Sequence, residues 1–232
     1  MYNEIRIDLQ QYIRDKIIPV YNEFDAAHGP EHIWQVIDKS VALARCLKVD
    51  CEMAYTVAAY HDIGMKKSRV DHGRYSAKIM EEDIKLRQWF SEEKCIIMMC
   101  AVEDHSTSAE REPRSLYGKI IYHADKTLDA EEIIRRAVLY GKAHYADYNF
   151  EQQAERVYQY TNSKYGKNGK IKFWLEVPGE KAKLRNVQTM LKDRKYVYGI
   201  CRKYYNKHPE QPDAVKGKRN DFKNKRGISK YL

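Results

Sequence analysis

The sequence is poor in several features that mark whole classes of protein. It has only 6 prolines in 232 residues, and with 43% apolar content that composition argues for a packed core rather than disorder. No apolar run approaches the roughly 18 residues that a membrane-spanning helix needs. The first residues, MYNEIRIDLQQYIRDK, carry acids and lack the hydrophobic centre of a signal peptide, so a cytoplasmic protein is expected. The five cysteines, Cys46, Cys51, Cys95, Cys100 and Cys201, include no CxxC pair. That excludes the usual zinc-finger spacing, and their odd number and apolar neighbours point to buried reduced thiols rather than a disulfide frame. Strong alternating strand patterns and internal repeats are also missing.

What remains is helical periodicity. Ile5, Leu9, Tyr12, Ile13 and Ile17 recur at helical intervals, and Pro19 should end or kink that helix. Gly29-Pro30 is a helix start with proline suited to the first turn, followed by the apolar face of Ile33, Val36, Ile37, Val41, Ala44 and Leu47. Asp50 should cap a third helix, which runs through Ala54–Tyr60 to the pair His61-Asp62 and stops near Gly64. The next helix is expected to start at His72 and to carry Tyr75, Ile79, Met80, Ile84 and Leu86 on its apolar face. Ser91 should cap another ending at Glu103-Asp104-His105, and residues 116–142 read as two helices with His123 and Asp125 near the end of the first. IKFWLEVPG, from Ile171, is the one strand or loop candidate, and the segment from Gly179 to Tyr205 is again helical. The fold class expected is all-α, with an N-terminal domain over 1–145, a helical extension over 146–213 and a basic tail over 214–232. That tail holds +6 of the net +9 charge, leaving +3 for the rest. Such a tail can contact nucleic acid, or simply remain a solvated terminus.

Six residues of metal-ligand type stand at or near expected helix ends: His32, His61, Asp62, His72, His105 and Asp125. His61 and Asp62 are about 100° apart around a helix axis, so both can reach one ion. Imidazole nitrogen with carboxylate oxygen suits a catalytic transition-metal centre. Lys66, Lys67 and Arg69 after the pair, Arg114 after His105, and Lys126 beside Asp125 are candidate phosphate clamps, or else ordinary surface cations. Glu31, Glu103 and Asp104 are candidate bases or outer partners of the histidines.

In order, H-x-x-x-V from His32, AAYHDIG around His61-Asp62, H-x-x-x-S-A from His72, HSTS at His105 and ADK-x-L-D-A around Asp125 resemble the HD-domain superfamily of metal-dependent phosphohydrolases. The resemblance covers about residues 25–143 and implies an all-helical metal-dependent domain. By that resemblance His32, His61, Asp62 and Asp125 are metal ligands, and His72 and His105 hold a second metal. Asp62, His72, His105 and Lys126 are then the catalytic set, and Lys66, Lys67, Arg69 and Arg114 bind substrate. The implied cofactor is one or two divalent ions: Mn, Fe, Ni, Co, Zn or Mg. The implied substrate is a nucleotide or other small phosphoester. Two other classes use the same ligand set or fold, a di-iron oxygenase and a non-catalytic regulatory domain. The sequence departs from the family's cyclic-dinucleotide phosphodiesterases: it has no GYP motif, and Met65 stands where their HDIG is followed by lysine.

Overall fold

The computed structural model describes residues 2–25, 28–105 and 111–207, and the basic tail lies outside them. All of the regular structure among the described residues is helical. Helix α1, Ile7–Tyr12, widens into a π-helical turn over Ile13–Ile17 and then tightens into a 3-10 turn over Ile18–Glu23. Pro19 explains the change, because its ring would strike a carbonyl four residues earlier in a regular α-helix. Helix α2, Pro30–Leu47, starts on Pro30 as the sequence suggests and ends at Lys48 in a left-handed conformation. The Asp50 side chain accepts from the Glu52 and Met53 backbone N–H groups and starts α3, Cys51–Tyr60.

Helix α3 is the axis of the first half. Every residue from Met53 to Tyr60 is buried, as only a helix surrounded by others can be. Helices α2, α4 (His72–Glu82), α5 (Glu92–Asp104) and α6 (Leu116–Asp125) pack around it. Ile33, Ile37, Tyr55, Tyr60, Met98 and Ile121 meet in this core. Each apolar side chain of that size contributes about 1.5–3 kcal/mol on full burial. Ser91 and Ser115 cap α5 and α6 through side-chain oxygens.

A second apolar cluster begins at Leu128. It joins α7 (Ala130–His144), α8 (Phe150–Tyr165), α9 (Glu180–Lys192) and α10 (Arg194–Lys207) through Ile134, Val138, Val157, Val187 and Val197. Helix α8, in the polar Tyr-rich stretch, starts on a capping box between Asn149 and Gln152.

Three local expectations are corrected. The helix from His72 does not run on to Leu86. It stops at Glu82, because Asp83 takes the Tyr12 and Tyr60 hydroxyls and caps a separate 3-10 turn at Lys85. The IKFWLEVPG segment is a loop, not a strand. It lies across α6, where the Lys172 N–H donates to the Tyr122 hydroxyl and the Trp174 and Leu175 N–H groups donate to His123 Nε2. The cysteines are all free, but only Cys201 is buried; Cys46 is exposed, on the outward side of α2.

Candidate metal centre

The HD pair is delivered by the buried helix α3 and held by one tyrosine. The Tyr21 hydroxyl donates to the Ala59 carbonyl at 2.8 Å and accepts from the Asp62 N–H at 3.3 Å. Asp62 takes φ −107° and ψ 0°, the sparsely populated bridge region where chains often turn at sites. The next turn runs over Ile63–Lys66 and presses against α4 at Gly64, whose N–H donates to Ser76 Oγ at 2.8 Å. That contact sets His72, the first residue of α4, opposite Asp62.

The histidine rings are oriented by a repeated device. His61 Nδ1 donates to the Ala58 carbonyl at 2.7 Å, His72 Nδ1 to that of Arg69 at 2.8 Å and His105 Nδ1 to that of Val102 at 2.6 Å. In each case the acceptor lies three residues earlier. A proton held on Nδ1 leaves the Nε2 lone pair of a neutral ring directed away from its own backbone, as a metal ligand requires.

Those Nε2 atoms converge on Asp62. Its Oδ2 lies 3.3 Å from His61 Nε2 and 4.0 Å from His32 Nε2. Its Oδ1 lies 3.4 Å from both His72 Nε2 and His105 Nε2. Asp125 Oδ1 closes the first side, 3.2 Å from His32 and 3.8 Å from His61. Two triads result, His32-His61-Asp62 and Asp62-His72-His105, with donor atoms in each within 4.8 Å of one another. His32 Nε2 and His61 Nε2 are buried without a hydrogen-bond partner. Buried polar nitrogens are rarely left so, and a cation between these donors would satisfy both. The residues present therefore fit divalent ions.

The electrostatics agree. Burial raises the Asp62 and Asp125 carboxyls, but His61 and His105 beside the first and His32 beside the second hold both well below the ordinary range. Burial opposes a charge on His61, yet Asp62 and Asp125 push it up to about 9. Burial brings His32 down to about 4 and lowers His72, with His105 adding to the latter. Two carboxylates against one protonated imidazole leave a net negative cluster, which attracts a cation.

The expected phosphate clamps lie elsewhere, and four of the five are held by carboxylates. Lys66 pairs with Glu23 at the surface. Lys67 stands over the Tyr75 ring. Arg69 bonds Asp25 at 3.0 Å and lies 4.6 Å over the Tyr140 ring. Arg114 bonds the buried Asp104 through its Nε and backbone N–H, and also Glu103. Asp104 is thereby spent on Arg114 and Arg111. Lys126 is buried, with Nζ 3.0 Å from Glu180 and 4.3 Å over the Phe173 ring. Burial lowers it to about 8. His123, its neighbour, donates from Nδ1 to Glu180 at 2.7 Å. Sequence reasoning missed Tyr21 and Glu180, since neither carries a local signal that ties it to positions 62 or 126.

A helical domain whose helix ends bring histidines and aspartates to one buried cluster belongs to the class of metal-centred all-α domains. Residues 30–129 match the family model described as HD domain, and the chain belongs to the HD-domain family through that segment, which contains all six cluster residues. No curated protein and no solved structure matches the chain.

Proposed function

We propose that the protein is a metal-dependent phosphohydrolase that cleaves a small phosphoester, such as a nucleotide, at a two-ion centre. The observation that carries the reading is Asp62, whose two oxygens face two different histidine sets. His32, His61, Asp62 and Asp125 would hold one ion, and Asp62, His72 and His105 the other. Divalent ions bound there supply a water acidic enough to attack at neutral pH and offset charge on the phosphoryl oxygens. The chain's own part is orientation. The Ala58, Arg69 and Val102 carbonyls keep three imidazoles neutral on the ligating side, and Tyr21 holds the turn that carries Asp62. Burial of the cluster excludes bulk water and strengthens each charge interaction.

The test is metal analysis of the purified chain and of Asp62→Asn, coupled to a panel of phosphoesters and nucleotides. The wild type is expected to hold near two ions and to hydrolyse a member of the panel. Asp62→Asn should lose both metal and turnover while its circular dichroism is unchanged. Full metal occupancy in that variant would refute the assignment. Iron content with oxygen consumption and no phosphate release would replace hydrolysis by oxygenase chemistry.

A further inference from the structure

The cluster is not closed on all sides. The His32, His61, Asp62 and His105 side chains are 7% exposed or less, whereas Asp125 is 22% exposed. Its open edge faces the second helical group. Lys39 lies seven residues beyond His32 on α2, two turns along the same face. Arg136 comes from α7 and Lys164 from the last turn of α8. These three meet around Asp125. Asp125 attracts both Lys39 and Lys164 through space, and Arg136 repels Lys39, Lys164 and a charge on His32.

These cations differ from those around them. Arg135, the neighbour of Arg136, is bonded to Glu132 by both Nε and Nη2. Lys66, Arg69, Arg114 and Lys126 each hold a carboxylate. The Lys39 and Arg136 side chains form no hydrogen bond or ion pair with a described residue, and among those residues the Lys164 ammonium contacts only the Tyr165 ring, at 5.5 Å. Like charges gathered from three helices, without bonded counter-ions, destabilise the fold by mutual repulsion. An anion among them reverses that cost, and Arg and Lys are the side chains that recognise phosphate.

We propose that Lys39, Arg136 and Lys164 cradle a further phosphate of the substrate, outside the metal ligands and beside Asp125. The inference rests on the phosphohydrolase reading and narrows it: the substrate is a phosphoester that carries a second phosphate besides the one cleaved. The second helical group then supplies substrate selection, since Arg136 and Lys164 both come from it.

The experiment compares adenosine 5′-monophosphate with adenosine 3′,5′-bisphosphate as ligands of the full-length, Mn-loaded protein, by calorimetry. The wild type is expected to bind the bisphosphate at least about tenfold more tightly, as one added charge-assisted contact would give. In Arg136→Gln/Lys164→Gln that advantage should vanish, while monophosphate affinity and the metal-to-protein ratio stay as they were. Lys39→Gln, at a solvent-facing position of α2, should reduce the advantage by itself, which keeps the test alive if the double variant does not fold. An advantage retained in both variants, or none in the wild type, overturns the cradle. Hydrolysis of monoesters with no bisphosphate advantage would leave the phosphohydrolase reading standing and remove the cradle. An advantage lost in the variants of a protein that hydrolyses no phosphoester would do the reverse.

Discussion

His72 Nε2 and His105 Nε2 lie 3.0 Å apart, and each ring already donates its Nδ1 proton to a carbonyl three residues earlier. Two lone pairs aimed at one point from that separation repel each other unless a proton or a cation lies between them. Burial and His105 lower the His72 pKa, which disfavours the proton. Asp62 Oδ1, 3.4 Å from both nitrogens, completes a three-donor set for a cation.

Replacing His105 therefore tests how many ions bind. His105→Ala should lower the metal-to-protein ratio from near two toward one and cut turnover by at least about a hundredfold, the upper end of the loss seen for outer-shell partners of metal ligands. Plasma emission spectrometry with steady-state assays on the same preparation reads both quantities. A ratio near one in wild type and variant alike, with only substrate affinity changed, would assign His105 to the substrate instead.

Metal binding should also be coupled to protons, with a sign that follows from His61. In the metal-free protein Asp62 and Asp125 hold its pKa at about 9 despite burial. At pH 7 it is protonated, and the proton must leave before Nε2 can ligate. Affinity for the His61-side ion should rise by about tenfold per pH unit up to about 9 and then level off. His32, at about 4, and His72, which is lowered, are already neutral and add nothing to that slope. Calorimetric titration in buffers of different ionisation enthalpy should show about one proton released per protein at pH 7 and fewer at pH 9.5. No proton release at pH 7 would mean that His61 is neutral in the metal-free protein or does not ligate.

Much of this fold is legible along the chain because its start and stop signals are local. Pro30, Asp50, Ser91 and Ser115 each begin the helix that their chemistry suggests. The six cluster residues are legible for a similar reason, since each sits at or near a helix end. What could not be read depends on partners far apart in sequence. Asp83 breaks the helix after Glu82 because it accepts from Tyr12 and Tyr60, 71 and 23 residues away. Arg114 resembles a phosphate ligand until Asp104 and Glu103 are placed against it. Lys39, Arg136 and Lys164 lie on three separate helices, and no motif joins them. Local spacing finds residues that ride one helix end, whereas a counter-ion, or the want of one, is a property of packing.

The last prediction concerns the spacing that sets His72 against Asp62. A Cβ on Gly64 would lie 2.4 Å from the Ser76 amide nitrogen, 2.5 Å from the His72 carbonyl oxygen and 2.8 Å from the Tyr75 carbonyl carbon. All three are backbone atoms of α4, so no side-chain rotation relieves the clash, and the start of α4 must move. Overpacking of this kind costs about 1–3 kcal/mol, or about 2–4 °C of Tm per kcal/mol for a chain of this size. Because His72 is the first residue of α4, the same shift should withdraw its Nε2 from Asp62 Oδ1. Gly64→Ala is thus expected to lower Tm by several degrees and to bring the metal ratio toward one, matching His105→Ala. Gly199, within α10, faces open space: a Cβ there would meet nothing within 4 Å. Gly199→Ala should instead raise stability by about 0.5–1 kcal/mol through helix propensity and leave the metal ratio unchanged. Thermal unfolding and metal analysis of the two variants separate a general packing defect from a displaced ligand. A Gly64→Ala protein that loses stability but keeps its full metal complement would show that the Gly64 contact does not position His72 for the ion.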